Sequence, residues 1–153
     1  MREGEFVSEH YSPFKVIFCN IHIEGREVTN WRQPLVAATG MAMFGLICTD
    51  DNGMLQFLTK TRFEVGCFDT IEIGPTIQRE SGNTQALDYI EELFYEEIAK
   101  GKNIIADVIL SEEGGRFYQE ENRNIIIYVD KDKIEHLPRG YVWSDYGTLN
   151  MLT

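Results

Sequence analysis

Four short stretches of this chain collect side chains that scaffolding alone rarely needs. Trp31-Arg32-Gln33-Pro34-Leu35 sets an indole, a guanidinium and a carboxamide ahead of a proline that favours extended backbone before it. Thr59-Lys60-Thr61-Arg62-Phe63-Glu64, read as a strand, puts Lys60, Arg62 and Glu64 on one face. That face can receive an anion, or its charges can pair with one another at the surface. Gly74-Pro75-Thr76-Ile77-Gln78 aims a hydroxyl and an amide the same way, which suits reading an amide, a hydroxyl or a base edge. The richest stretch is Ser111-Glu112-Glu113-Gly114-Gly115-Arg116-Phe117, followed by Asn122-Arg123-Asn124. Asparagine and arginine at the start of the apolar run Ile125-Ile126-Ile127 are costly to order unless they bond something. The plainer readings are a half-buried tryptophan in a loop, a surface ion pair and an Asx-rich turn.

These side chains need elements to hold them. Phe14 to Ile23 alternates as a strand, and Gly25 then marks a turn. Met41 to Cys48 is apolar on both faces, as a buried strand is. Asp50-Asp51-Asn52-Gly53 is strong turn chemistry, and Leu55 to Phe63 alternates again as the hairpin partner. Thr70 to Glu80 reads as extended, punctuated by Gly74-Pro75. One amphipathic helix is clear over residues 85–100, with Ala86, Leu87, Ile90, Leu93, Phe94 and Ile98 on its apolar stripe. Asn83 or Thr84 is the expected N-cap and Gly101 the C-cap. Glu91, Glu92, Glu96 and Glu97 are expected mostly on the solvated side. Ile104 to Leu110, Arg116 to Gln119 and Asn124 to Val129 read as strands, and Tyr146 to Leu152 as a short C-terminal helix. Many strands around one good helix, without regular alternation, indicate an α+β fold with a mixed or antiparallel sheet.

The chain has 153 residues, which suits one domain preceded by an N-terminal extension over residues 1–13. Its 25 acidic and 14 basic side chains leave a net charge of −11. Phosphate backbones and anionic membranes need a basic face, so no nucleic-acid partner and no membrane partner is expected. Cys19, Cys48 and Cys67 form no C-x-x-C pair, and His10, His22 and His136 form no metal motif; reduced thiols, a cytoplasmic location and no metal site follow. The first ten residues have no apolar core of the signal-peptide kind. The apolar run from Leu35 to Cys48 is too short to cross a bilayer.

At the four stretches the chain resembles the NDP-hexose 2,3-dehydratases. The resemblance covers about Phe14 to Leu152, in order and spacing, and includes Gly25-Arg26-Glu27-Val28 and the Phe63-Glu64-x-Gly66 pattern. It implies a lyase that removes water across carbons 2 and 3 of a nucleotide-linked sugar such as dTDP-4-keto-6-deoxyglucose in deoxysugar biosynthesis. It implies no redox cofactor, and a fold similar to the Nudix hydrolases but without their metal-binding box. Members carry two tandem copies and dimerise; one copy, without most of the leader segment, implies a homodimer or higher homo-oligomer here. Against the family pattern, Arg62 stands for lysine, Val65 for proline, and Ser81-Gly82-Asn83-Thr84 lacks the family's tyrosine. Glu120 and Glu121 precede Asn122 where the family is basic. A non-catalytic nucleotide-sugar-binding domain is the alternative reading.

The implied reaction needs a base for the carbon 3 proton and donors for the carbon 4 oxygen as charge develops. Glu64 or Glu112 is the candidate base, and Arg62 or Gln33 the oxyanion donor. Arg32, Arg116 and Arg123 are candidates to clamp the diphosphate, with Trp31 available to stack on a base or sugar. Thr76, Gln78, Asn122 and Asn124 complete the expected substrate contacts.

Overall fold

The computed structural model describes residues 5–6, 8, 12–64, 66, 68 and 70–152; His10, Val65 and Cys67 lie outside the described residues. Among the described residues the chain forms ten strands in two sheets, with two helices, which is the expected α+β class. It divides into two compact units. One holds the residues up to Ala42 with Glu80–Asn83 and Ile109–Asn122; the other holds Met43–Arg79, Thr84–Val108 and the residues from Arg123 onward.

In the first unit β1 (Glu5–Phe6), β2 (Phe14–His22) and β3 (Asn30–Ala38) form an antiparallel sheet in that order. β2 follows its alternation to within one residue of the expected end. β3 is a strand where the sequence suggests a loop. Pro34 is the reason for the misreading: a proline is tolerated in a strand at a sheet edge, and Pro34 is exposed there opposite Phe18. The period of two then sorts the strand. Leu35 and Ala37 are buried, Trp31 and Gln33 half-buried, and Arg32 exposed. Arg32 therefore lies on the opposite face from Trp31 and Gln33, not beside them.

Arg116 to Gln119, expected as a strand, is a turn. The N–H groups of Arg116 and Phe117 both donate to Glu113 O, at 3.1 and 3.0 Å. Gln119, with φ of +49°, ends the extended run. What remains of strand pairing is one isolated parallel bridge between Val36 and Phe117, flanked by Val36 N–H to Arg116 O at 3.0 Å and Tyr118 N–H to Val36 O at 2.7 Å.

The second unit is built on β4 (Ala42–Asp51) and β5 (Met54–Phe63), joined by Asn52 and Gly53. Both joining residues have positive φ, +57° and +85°, as a two-residue hairpin turn requires. β6 (Ile71–Gly74) pairs with β5 and β7 (Ile77–Arg79) with β4. α1 (Tyr89–Lys100), β8 (Ile104–Ser111), β9 (Glu121–Tyr128), β10 (Tyr141–Asp145) and α2 (Tyr146–Leu152) follow, and the sheet runs β10-β5-β4-β9-β8. β10 has no counterpart in the sequence reading; its five residues are too short a run to show a period.

Ile47, Leu58, Ile77, Ile90, Phe94, Ile125, Ile127 and Val129 are sealed in the core of this unit. Phe94 packs so close to β4 that a methyl on Gly45 would stand 2.2 Å from its ring. A side chain of that size contributes about 1.5–3 kcal/mol on full burial.

The helix starts four residues later than its apolar pattern suggests. Its N-cap is Asp88, not Asn83 or Thr84. Asp88 Oδ1 accepts the Glu91 N–H at 3.0 Å and Glu91 Oε2 accepts the Asp88 N–H at 3.3 Å, a reciprocal capping box. Gly101 closes the other end in the left-handed conformation, as expected. Glu91 and Glu97 are buried, with 7 % and 2 % exposure, rather than solvated. Burial is tolerable because each meets cations: Glu91 meets Lys60 and Arg79, and Glu97 meets Lys100 and Lys133.

Candidate functional site

The sequence-predicted residues fall into the two units. Trp31, Arg32, Gln33, Glu112, Arg116 and Asn122 belong to the first; Arg62, Glu64, Thr76, Gln78, Arg123 and Asn124 belong to the second.

In the first unit a cavity of about 730 Å³ opens between β2, β3 and the segment that follows β8. Ile21 and Leu35 supply apolar wall, and Glu112, Glu120 and Glu121 supply carboxyl groups. A space of this size is within the ~300–1,000 Å³ that small-molecule sites occupy. Glu112 is held there from two sides. Its N–H donates to Glu120 O at 2.9 Å, and its Oε1 accepts the Asn122 side-chain amide at 2.5 Å. Asn122 is itself buried, so the donor is fixed.

The loop bearing Glu112 is tied to β3. Trp31 Nε1–H donates to Gln33 Oε1 at 2.7 Å, and Gln33 Nε2–H donates to Gly115 O at 2.8 Å. The pairing explains why indole and amide stand two residues apart in the sequence: on a strand they share a face. Arg116 is exposed and anchored through its backbone.

Glu120, half-buried, is not among the site residues the sequence points to. Its Oε2 is sealed from solvent and has no hydrogen-bond partner among the described residues. Burial pushes its carboxyl above the ordinary carboxylate range, and the charges of Glu112 and Glu80 push it further. The signal in the sequence is the acidic pair Glu120-Glu121 directly ahead of Asn122.

The second unit carries a charged network at the start of α1. Lys60 Nζ lies 2.9 Å from Asp88 Oδ2 and 3.2 Å from Glu91 Oε1, and 4.7 Å above the centre of the Tyr141 ring. The Tyr141 hydroxyl donates to Asp88 Oδ2 at 2.8 Å. Arg79 closes the set, with Nη1 donating to Glu91 at 3.2 Å and Nη2 to Gln85 O at 2.8 Å. Burial raises Asp88, but the Glu91 N–H, Lys60 and Tyr141 outweigh it and hold the carboxyl below its usual range. Burial, the Asp88 hydrogen bond and the nearby carboxylates push the Tyr141 phenol well up, so it stays protonated. Lys60 thus pairs with the helix start, not with Glu64. Asp88, Tyr141 and Arg79 were missed; only the Asp88-x-x-Glu91 spacing could have revealed the first of them.

Arg62 differs from its neighbours. Its Nε and Nη2 are sealed from solvent and have no hydrogen-bond partner among the described residues. Burial draws its guanidinium below the ordinary range, opposed by Tyr141, Glu91 and Glu64. It lies against Gly74, where a methyl would stand 3.2 Å from its Cδ and Nε and 3.5 Å from Gln78 Oε1. Thr76 is wholly buried; its hydroxyl accepts the Ile47 N–H at 2.9 Å and donates to Leu58 O. Arg123 is engaged by Asp107 through Nε at 2.9 Å and Nη2 at 2.7 Å. Among the described residues no group of three or more His, Cys, Asp or Glu could hold a metal ion. No helix among them is long and apolar enough to cross a membrane.

A carboxylate oriented on the wall of a cavity of this size can take up a proton from a polar small molecule. The family model for NDP-hexose 2,3-dehydratase matches residues 1–153, and the chain belongs to that family. It is 33% identical over 144 residues to a dTDP-4-dehydro-6-deoxy-alpha-D-glucopyranose 2,3-dehydratase of Streptomyces violaceoruber, covering 92% of this chain and 32% of that protein. It is 34% identical over 142 residues to one of Saccharopolyspora spinosa, covering 91% and 29%, and 30% identical over 143 residues to one of Amycolatopsis orientalis, covering 92% and 30%. The chain therefore spans about three-tenths of the length of the curated relatives it matches.

Proposed function

We propose that this chain is a lyase that removes water across carbons 2 and 3 of a nucleotide-linked 4-keto-6-deoxyhexose, of the dTDP-4-keto-6-deoxyglucose kind. The observation that carries the reading is Glu112, fixed by the Asn122 amide on the wall of a cavity of ligand size in a member of this family. The carbon 3 proton is acidified by the adjacent ketone. Glu112 removes it, and the electron pair moves toward the carbon 4 oxygen as an enolate. Gln33, braced between Trp31 and the Gly115 carbonyl, is the amide of this unit that stands closest in role to an oxyanion donor. The enolate then expels the carbon 2 hydroxyl, which leaves as water on taking up a proton. The product is an enol, which tautomerises to the 3,4-diketo sugar.

A second assignment is favoured by Arg62, whose buried Nε and Nη2 meet no partner among the described residues. In it Glu64 is the base and Arg62 receives the developing negative charge. Substrate in deuterated water separates the two: the variant that loses carbon 3 exchange, Glu112→Gln or Glu64→Gln, identifies the base. Exchange intact in both variants contradicts both assignments.

A further reading is that chains of this kind associate as homodimers or larger homo-oligomers in the cytoplasm; light scattering of the purified chain tests the association. Binding of the nucleotide sugar without water loss would favour the non-catalytic alternative.

A further inference from the structure

Glu112 can take a proton, but water loss also needs one delivered to the departing hydroxyl. The same cavity wall carries Glu120, whose Oε2 is shielded from solvent and meets no donor among the described residues. Its backbone oxygen accepts the Glu112 N–H at 2.9 Å, so the two residues are held as neighbours. Glu112 Oε1 has a fixed amide donor, whereas Glu120 Oε2 meets none among the described residues. A shielded carboxyl oxygen without a donor favours the protonated form.

We propose that Glu120 is the general acid of the dehydration, protonating the carbon 2 hydroxyl as it leaves while Glu112 holds the proton taken from carbon 3. The assignment rests on the dehydratase reading above. The cycle closes in protons and electrons. The carbon 3–hydrogen bond breaks to Glu112, its electrons form the carbon 2–carbon 3 double bond by way of the enolate, and the carbon 2–oxygen bond breaks as Glu120 gives up its proton to make water. When the enol tautomerises, carbon 2 takes the proton from Glu112 and the carbon 3 hydroxyl returns one to Glu120. Both carboxyls end as they began, and no co-reactant is consumed. Two carboxyls separated by environment can divide acid and base roles in this way.

The other titratable groups lining the cavity are Glu121 and Tyr118, and Glu80 acts on Glu120 through space. Burial first, then Glu112 and Glu80, hold the Glu120 proton to higher pH than an ordinary carboxyl does.

The test compares wild type with Glu120→Gln on dTDP-4-keto-6-deoxyglucose in deuterated water. The expected result is recovered substrate carrying deuterium at carbon 3, with water loss reduced at least ~100-fold, the lower end of a general-acid contribution. Water loss within threefold of wild type overturns the proposal, and so does an equal fall of exchange and water loss. Exposed Glu80 gives an independent reading that leaves the cavity wall intact. Glu80→Gln removes a negative charge acting on Glu120, so the alkaline limb of the water-loss rate should move to lower pH; an unmoved limb counts against Glu120. A wild-type chain that neither exchanges nor dehydrates overturns the dehydratase reading itself, a result distinct from failure of the variant.

Discussion

Asn122 donates its side-chain amide to the Glu112 carboxylate at 2.5 Å, and it does so from a buried position at the start of β9. The hydrogen bond ties an exposed carboxylate to a rigid strand. A base that must meet one carbon-bound proton depends on such fixing.

If Glu112 is the base, Asn122→Ala should lower kcat about 10- to 100-fold and change KM by less, because the carboxylate survives and only its orientation is lost. Steady-state kinetics decide this. A KM rise with kcat unchanged would place Asn122 in substrate binding alone.

Glu120→Gln should stabilise the protein at neutral pH. A carboxyl whose folded pKa is raised binds its proton more tightly folded than unfolded. The folded state is then penalised once pH exceeds the unfolded value near 4.3, and the penalty disappears below it. The neutral amide removes the penalty. Thermal melts should show a higher Tm for the variant at pH 7 and no gain at pH 4; a lower Tm at pH 7 contradicts the account of Glu120.

Asp88 works with the opposite sign. Its folded carboxyl is held below the ordinary range, so its contribution is full above the unfolded value near 3.9 and is lost as pH falls through the folded value. Asp88→Ala should cost about 1–2 kcal/mol at pH 7 by removing the N-cap, and lower Tm by several degrees. Asp88→Asn should cost less, since an amide oxygen still accepts the Glu91 N–H, and its melts should lose this part of the acid dependence.

The cap also shows what the sequence does and does not disclose. The Asn52-Gly53 hairpin and the helix of Tyr146–Leu152 are local features and were readable from composition and period. The N-cap was readable too, in the Asp88-x-x-Glu91 spacing, but the apolar pattern begins earlier and drew the boundary with it. The burial of Glu91 was not readable. It depends on Lys60, 31 residues away in sequence, and Glu97 depends in the same way on Lys133, 36 residues away. The capping-box spacing marks Glu91 as a cap partner but not as buried, and nothing local sets Glu97 apart from Glu92 and Glu96. The site divides similarly. The Trp31 to Gln33 bond is local to one strand, whereas the Glu120 oxygen that meets no partner among the described residues results from how its loop folds.

Arg123 offers a direct check on the proposed diphosphate contact. Its guanidinium is occupied by Asp107, and both side chains are partly exposed. If Arg123 grips phosphate, Arg123→Ala weakens dTDP binding about 10- to 150-fold, the range of a charge-assisted hydrogen bond. Asp107→Ala should then leave affinity equal or tighter, because it frees the guanidinium. Equal dTDP affinity for wild type and Arg123→Ala by calorimetry removes Arg123 from the site.

The most direct measurement is mass-spectrometric detection of water loss from dTDP-4-keto-6-deoxyglucose by the wild-type chain, run beside Glu112→Gln. The account predicts turnover by the wild type, and loss of both turnover and carbon 3 deuterium exchange in the variant. A wild-type chain that binds the sugar and leaves it unchanged, or a Glu112→Gln variant that turns it over at the wild-type rate, would contradict it.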